Sequence, residues 1–396
     1  MMIMRVGIFL GGILFLIGIE IARVYFIMPF PGSQRNETLE VAYFIGSNIT
    51  ILRLVGLLLI AYPAYHFIKY SRLRVKAATI MGLLFWLIVV YLFNFRLLAE
   101  KMFYQPQTKV FLSTTASKIS THQLVLGVAI NGEAKAYPIE LIGYHHQVRD
   151  TVGGEPVMVT YCTVCRSGRV YTPAVDGQPE DFRLVGMDHF NAMFEDSRTK
   201  SWWRQVNGEA VAGPLKGKSL KEVPTEQMRL DTWIAQHSNT LIMQPDSMFL
   251  EAYDGLKNYD EGKSKGGLTR ADSLSWKEKS WVVGVAMGLY AAAYDWNDLK
   301  SQRVINDVLA NTPLLIVLEN DSVSFHAFQR DTLNFRYDSN KGVLTDSNTQ
   351  SIWSWKGECT DGKLLGSKLI QIQSYQEFWH SWKTFHPNTS EFHPPK

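Results

Sequence analysis

The stretch LVLGVAINGEAKAYP, residues 124–138, returns as WVVGVAMGLYAAAYD, residues 281–295. In the first copy Val125, Gly127 and Ala129 alternate with neighbours destined for the other face. Asn131-Gly132 then supplies a turn that accepts positive φ, so the stretch predicts a β-hairpin. The spacing between copies holds beyond it: Gly127 and Gly284, Asp150 and Asp307, Pro156 and Pro313, and Ser167 and Ser324 are all 157 residues apart. DSRTKSWW from Asp196 matches DSNTQSIW from Asp346 at a separation of 150, and WIAQHSNT from Trp233 matches WKTFHPNT from Trp382 at 149. Ordered blocks at nearly constant separation predict two tandem related modules of about 120 residues, the usual size of a domain. We place the first at 101–246 and the second at 281–396. Between them, 247–280 holds the charged, Gly-rich LKNYDEGKSKGGLTRADS and reads as a linker.

Within a module, PVMVTYC and RVYTPAV read as strands and VDGQ as a turn, with a short helical stretch at IELIGYHHQV and an amphipathic one at TEQMRLDTWIAQHSN. Period-2 signals outnumber helical ones, so the expected class is strand-rich α+β.

Ahead of the modules lie three apolar runs, 6–28, about 43–67 and 79–95, each long enough at 1.5 Å per residue to cross a hydrocarbon core of about 30 Å. The first is long and lacks a small-x-small cleavage site, so it reads as a retained span. The loop KYSRLRVK between the second and third carries Lys69, Arg72, Arg74 and Lys76, whereas the preceding loop has Arg35 against Glu37 and Glu40. By the positive-inside rule the N-terminus is expected in the cytoplasm of a bacterium, the helices in its inner membrane, and the modules in the periplasm or otherwise outside the cytoplasm. Glu20 and Arg53 fall at matching depths and are expected to pair as a structural bridge, with Arg23 snorkelling to the surface.

Forty basic against 37 acidic side chains leave a net charge of +3, which gives no ground for a nucleic-acid partner. The expected partners are the membrane and other envelope proteins. No phosphate loop, nucleophile elbow or paired zinc-protease histidine motif appears.

Two of the three cysteines stand together in VTYCTVCRSGRVY, residues 159–171. Comparing copies separates chemistry from framework. Tyr137 and Tyr294, Trp203 and Trp353, and His237 and His386 recur in both and read as fold residues. Cys162 aligns with Glu319, Cys165 with Ser322, His145 with Gln302 and His146 with Arg303, so only the first module carries sulfur and imidazole. Thiolates and a histidine, His145 or His146, would suit copper or zinc. Alternatively the thiols exchange with a disulfide, with Arg166 as the neighbouring cation that lowers a thiol pKa. The third alternative is an inert disulfide, a weak staple because its ring is so small. Met187, His189 and Met193 include copper-binding types but read as core. The same holds for Trp202, Trp203, Trp233, Trp379 and Trp382, and Cys359 stands alone in the second module.

GEAKAYP, HHQVRDTVGG, VTYCTVCRSGRVY, EDSRTKSWWRQVNGEAVAGPLKGKSL and WIAQHSNT together resemble a bacterial family catalogued as domain of unknown function 3179. The resemblance is close over 124–245 and degenerate in the second module. Thr163, Arg149, Lys200, and Ser238 with Asn239 depart from the family pattern, which has proline, asparagine, glycine and Pro-Asp there. The resemblance implies a fold and a site at Cys162, Cys165 and His145 or His146, without naming a reaction.

The resulting expectation is a membrane-anchored protein whose first module carries a Cys/His metal or thiol redox site, serving metal delivery, copper-linked redox chemistry or thiol oxidation. Its competitor is a non-catalytic envelope scaffold.

Overall fold

The computed structural model describes residues 2–35 and 37–394. The chain divides into two compact units. One takes the chain as far as Tyr104 together with Glu180–Arg204 and Glu209–Ser219, and the other takes Gln105–Pro179, Gln205–Gly208 and the chain from Leu220 onward.

The first unit is built on helices α1 (Met2–Tyr25), α2 (Leu39–Tyr70) and α3 (Leu73–Phe95), all three long and apolar enough to cross a membrane. They begin a few residues earlier than the sequence predicts, and α2 also ends later. Phe9, Ile13 and Leu16 of α1 pack on Ile60 and Phe67 of α2. The approach is close because Gly12 has no side chain: a Cβ there would lie 2.3 Å from Ile60. Much of the remaining helix surface is apolar and exposed, Leu58 at 76% and Leu14 and Met81 at 67% each, as lipid-facing positions require.

The expected pairing of Glu20 with Arg53 is present, Nε to Oε1 at 2.5 Å and Nη2 to Oε2 at 2.8 Å. Asn94 joins it, accepting from Arg53 at 2.8 Å and donating to Glu20 at 3.0 Å. Arg23 does not snorkel to the surface. Its Nη2 is held inside the same network by Asn94 Oδ1 at 2.7 Å and Phe93 O at 3.2 Å.

A four-stranded sheet, Phe182–Asp188, Asn191–Asp196, Trp202–Arg204 and Ala210–Ala212, belongs to this unit rather than to a contiguous 101–246 module. The cause is local: Met187 N donates to Ile27 O at 2.7 Å, and Trp202 meets Tyr43 edge-on at 5.0 Å.

In the second unit the strands Leu241–Met243, Glu133–Pro138, Leu124–Ile130 and Glu226–Arg229 lie side by side in that order. Ser390–Glu391, Tyr290–Asp295, Trp281–Met287 and Ser374–Phe378 repeat the order, each set with one parallel edge. Each hairpin runs into a seven-residue helix, Ile139–His145 or Trp296–Gln302. Each helix is followed by a three-stranded antiparallel run: Gln147–Val152, Glu155–Cys162 and Ser167–Tyr171, or Val304–Leu309, Thr312–Leu318 and Phe325–Gln329. Recurrent side chains do recurrent work. Trp233 fills the space over Gly127 and Trp382 that over Gly284, where a Cβ would sit 2.3 Å from the indole in either case. Tyr137 donates to Asp150 at 2.8 Å and Tyr294 to Asp307 at 3.0 Å.

Candidate functional site

The cysteines occupy the hairpin between Glu155–Cys162 and Ser167–Tyr171, whose last pair is Cys162 opposite Ser167. The turn is tight enough that Arg166 adopts φ 55°. Buried Gln205 braces its base, accepting from Ser167 Oγ at 2.6 Å and donating to Thr160 Oγ1 at 3.0 Å and Ser167 O at 3.1 Å. The Tyr259 hydroxyl donates to Thr163 O at 2.9 Å and fixes its crown.

The second half of the chain closes over this turn. Phe378 N donates to Cys165 O at 2.9 Å and Lys279 Nζ to Val164 O at 2.6 Å. Gln227 and Gln376, 149 residues apart like Trp233 and Trp382, bond each other at 2.9 Å. Arg169, 2% exposed, reaches Glu377, fully buried, at 2.5 Å, with its guanidinium 3.3 Å over the Tyr375 ring. Ser381 donates to the other oxygen of Glu377 at 2.8 Å. Most of these buried polar groups pair across the seam, while Gln376 Nε2 has no hydrogen-bond partner among the described residues.

Both thiols are fully buried and are not joined in a disulfide. Cys165 lies within hydrogen-bond reach of Cys162 and of Ser381. Burial is the main force raising the Cys165 pKa well above its usual value, and Cys162 and Glu377 push the same way. It is therefore held as a neutral thiol. Lys279 is the cation beside the sulfurs. Burial lowers its pKa, while the two sulfurs oppose that change. Burial pushes Tyr161, the residue before Cys162, to about 12 and, with Asp260, raises Glu140 to about 7. Asp260 itself is raised to about 6, again mainly by burial.

Arg166, the residue after Cys165, reaches across the seam. Its guanidinium donates to Gln376 at 2.8 Å, Tyr259 O at 3.1 Å and Asp260 O at 3.0 Å, and lies 3.8 Å over Trp281. These partners make it a clasp across the seam.

His145 is fully buried, with Nε2 2.7 Å from the Tyr253 hydroxyl and its ring edge-on to Phe249 at 5.2 Å. His146 ends the helix with φ 60°, its Nδ1 3.1 Å from Tyr144 O, and burial lowers its pKa to about 4. Among the described residues no three His, Cys, Asp or Glu side chains are grouped so as to hold a metal ion. A structural zinc site takes four ligands, so the described residues do not supply its set. Met187, Met193 and the five tryptophans lie in the interior, as expected of core residues, and His189 pairs with Asp188 at 2.7 Å. Cys359 is buried with its sulfur 3.4 Å from Asp361 O.

A family model described as a protein of unknown function, DUF3179, matches residues 105–389. The chain belongs to the DUF3179 family. The match runs well beyond 124–245 and takes in the second half of the chain and every seam residue described above. No curated protein and no solved structure matches the chain.

Sequence reasoning missed Lys279, Gln376, Glu377 and Ser381. One signal was present: Glu377 aligns with Met228, so a carboxylate stands where the other copy is apolar.

Proposed function

We propose that this DUF3179 chain is a membrane-anchored envelope protein with a thiol redox site buried at the seam between two copies of one ancestral module. The basic loop Lys69–Lys76 supports an orientation with the body outside the cytoplasm. Doubling is supported by the pairing of equivalent Gln227 and Gln376 with each other, as expected on a pseudo-two-fold axis. The observation that carries the chemistry is the surroundings of Cys165. It has Cys162 and Ser381 within hydrogen-bond reach and feels the charge of Glu377, while Lys279 feels both sulfurs.

The step is reversible oxidation of Cys162 and Cys165. Two S–H bonds break, one S–S bond forms, and two protons and two electrons leave, the electrons reducing a disulfide of an envelope partner. Asp260 and Glu140, raised to about 6 and about 7, are groups that exchange protons near neutral pH. Complete burial of both sulfurs favours a second reading, a scaffold whose cysteines brace the turn.

Equilibrating the full chain with glutathione buffers, trapping and intact-mass measurement separate these readings. Redox function requires a reversible loss of two hydrogens that the Cys162→Ser and Cys165→Ser variants lack. Thiols that stay reduced in oxidised glutathione, with both serine variants fully functional in cells, leave the scaffold. Elemental analysis of the same sample tests whether the sulfurs carry copper or zinc.

A further inference from the structure

Two guanidiniums and one carboxylate meet in one network near the ends of α1 and α3: Arg53 bonds Glu20, and Arg23 joins them through Asn94. Glu20 is committed to Arg53 and Asn94, so the group of Glu20, Arg23 and Arg53 carries one positive charge in excess. The excess belongs to Arg23, whose Nε is buried and has no hydrogen-bond partner among the described residues. A cation of this kind at the edge of hydrocarbon calls for an anion.

Arg23 lines a cavity of about 460 Å3 that lies wholly within the helix-bearing unit. Another wall carries Lys200, exposed and without an ion-pair partner among the described residues, and Arg183, already held by Glu195 at 2.9 Å and Glu100 at 3.2 Å. Tyr43 and Trp202 supply an aromatic wall, the amphipathic surface favoured at the level of lipid headgroups. The depth agrees: Arg23 lies at the end of α1 and Tyr43 at the start of α2.

We propose that this cavity binds the phosphate of a membrane lipid, with half-buried Arg23 as the inner anchor, Lys200 as the outer cation, and Tyr43 and Trp202 against the glycerol and upper tail. The site rests on the reading that the helices lie in a bilayer, which carbonate extraction of the full chain tests separately.

Calorimetric titration of the full chain in neutral detergent, with dihexanoyl-phosphatidylglycerol, dihexanoylglycerol and inorganic phosphate as probes, tests the site itself. The phospholipid is expected to bind saturably and more tightly than either other probe. Lys200→Gln weakens that binding about fivefold, and Arg23→Gln weakens it by about tenfold or more. Lys200 lies outside the Glu20–Arg53 network, so its substitution remains informative if Arg23→Gln does not fold. Equal affinity for dihexanoylglycerol, or phospholipid binding unchanged by Lys200→Gln, overturns the proposal. Inorganic phosphate binding as tightly as the phospholipid assigns the cavity to a free anion and overturns the lipid.

Discussion

Replacing Glu377 with glutamine should cost more than any other isosteric change at the seam. Arg169 and Glu377 are 2% and 0% exposed, and their closest atoms are 2.5 Å apart. With charge centres about 4 Å apart and an effective dielectric constant of about 20, their attraction is about 4 kcal/mol. The amide keeps the shape and the Ser381 contact but leaves the guanidinium buried, with Glu222 3.8 Å away as the nearest remaining carboxylate. Breaking a buried pair from one side costs about 3–5 kcal/mol. For a body of this size that corresponds to a fall in Tm of about 10 °C. Near-UV circular dichroism of the full chain in detergent reads the body through its tryptophans. Arg169→Met with Glu377→Met removes both charges and should recover most of the loss, since a buried pair replaced by apolar groups is close to neutral. A Glu377→Gln shift under about 3 °C, or a double variant that only adds the two single losses, would refute the reasoning.

His326 is held between Glu319 at 2.7 Å and Glu226 at 3.3 Å, which together raise its pKa to about 9 against burial. Its stabilisation, about 3 kcal/mol, is fully present below pH about 6.5 and lost as pH rises through about 9; His326→Gln should flatten stability between those values. Cys165 has its pKa raised, so the unfolded chain ionises first, and stability should fall by up to about 1.4 kcal/mol per pH unit above pH about 8.5, a slope that Cys165→Ser removes. Gly127→Ala and Gly284→Ala each drive a methyl into an indole 2.3 Å away and should cost about 1–3 kcal/mol in the same melt, the two losses being similar if both copies share one packing.

The repeated framework was legible because it is written in local pattern. Alternation, Asn131-Gly132 and fixed spacing sufficed to place the hairpins, and Glu20 with Arg53 could be matched by depth. Two things were not legible. The strands Phe182–Arg204 join the helices through Ile27 and Tyr43, contacts that no periodicity announces. The completion of the thiol site by Lys279, Gln376, Glu377 and Ser381 was hidden because comparing copies asks what one half lost, never what it gives to the other. Glu319 shows the difference: it stands 157 residues after Cys162 and pairs with His326, which stands 157 after Arg169.

Seam and thiols are therefore one system, and this yields a test that stability alone does not. A reagent reaches the buried sulfurs only after the structure opens. When opening is faster than labelling, the observed rate follows the open population. Maleimide should therefore label Cys162 and Cys165 of the native protein slowly. If the relevant opening parts the seam, Glu377→Gln should accelerate labelling by up to about a thousandfold, the Boltzmann factor of the lost 4 kcal/mol. Labelling at the parent rate in Glu377→Gln, beside a lowered Tm, would mean that the sulfurs are reached by a path that bypasses Arg169 and Glu377, and the seam would then not control the chemistry.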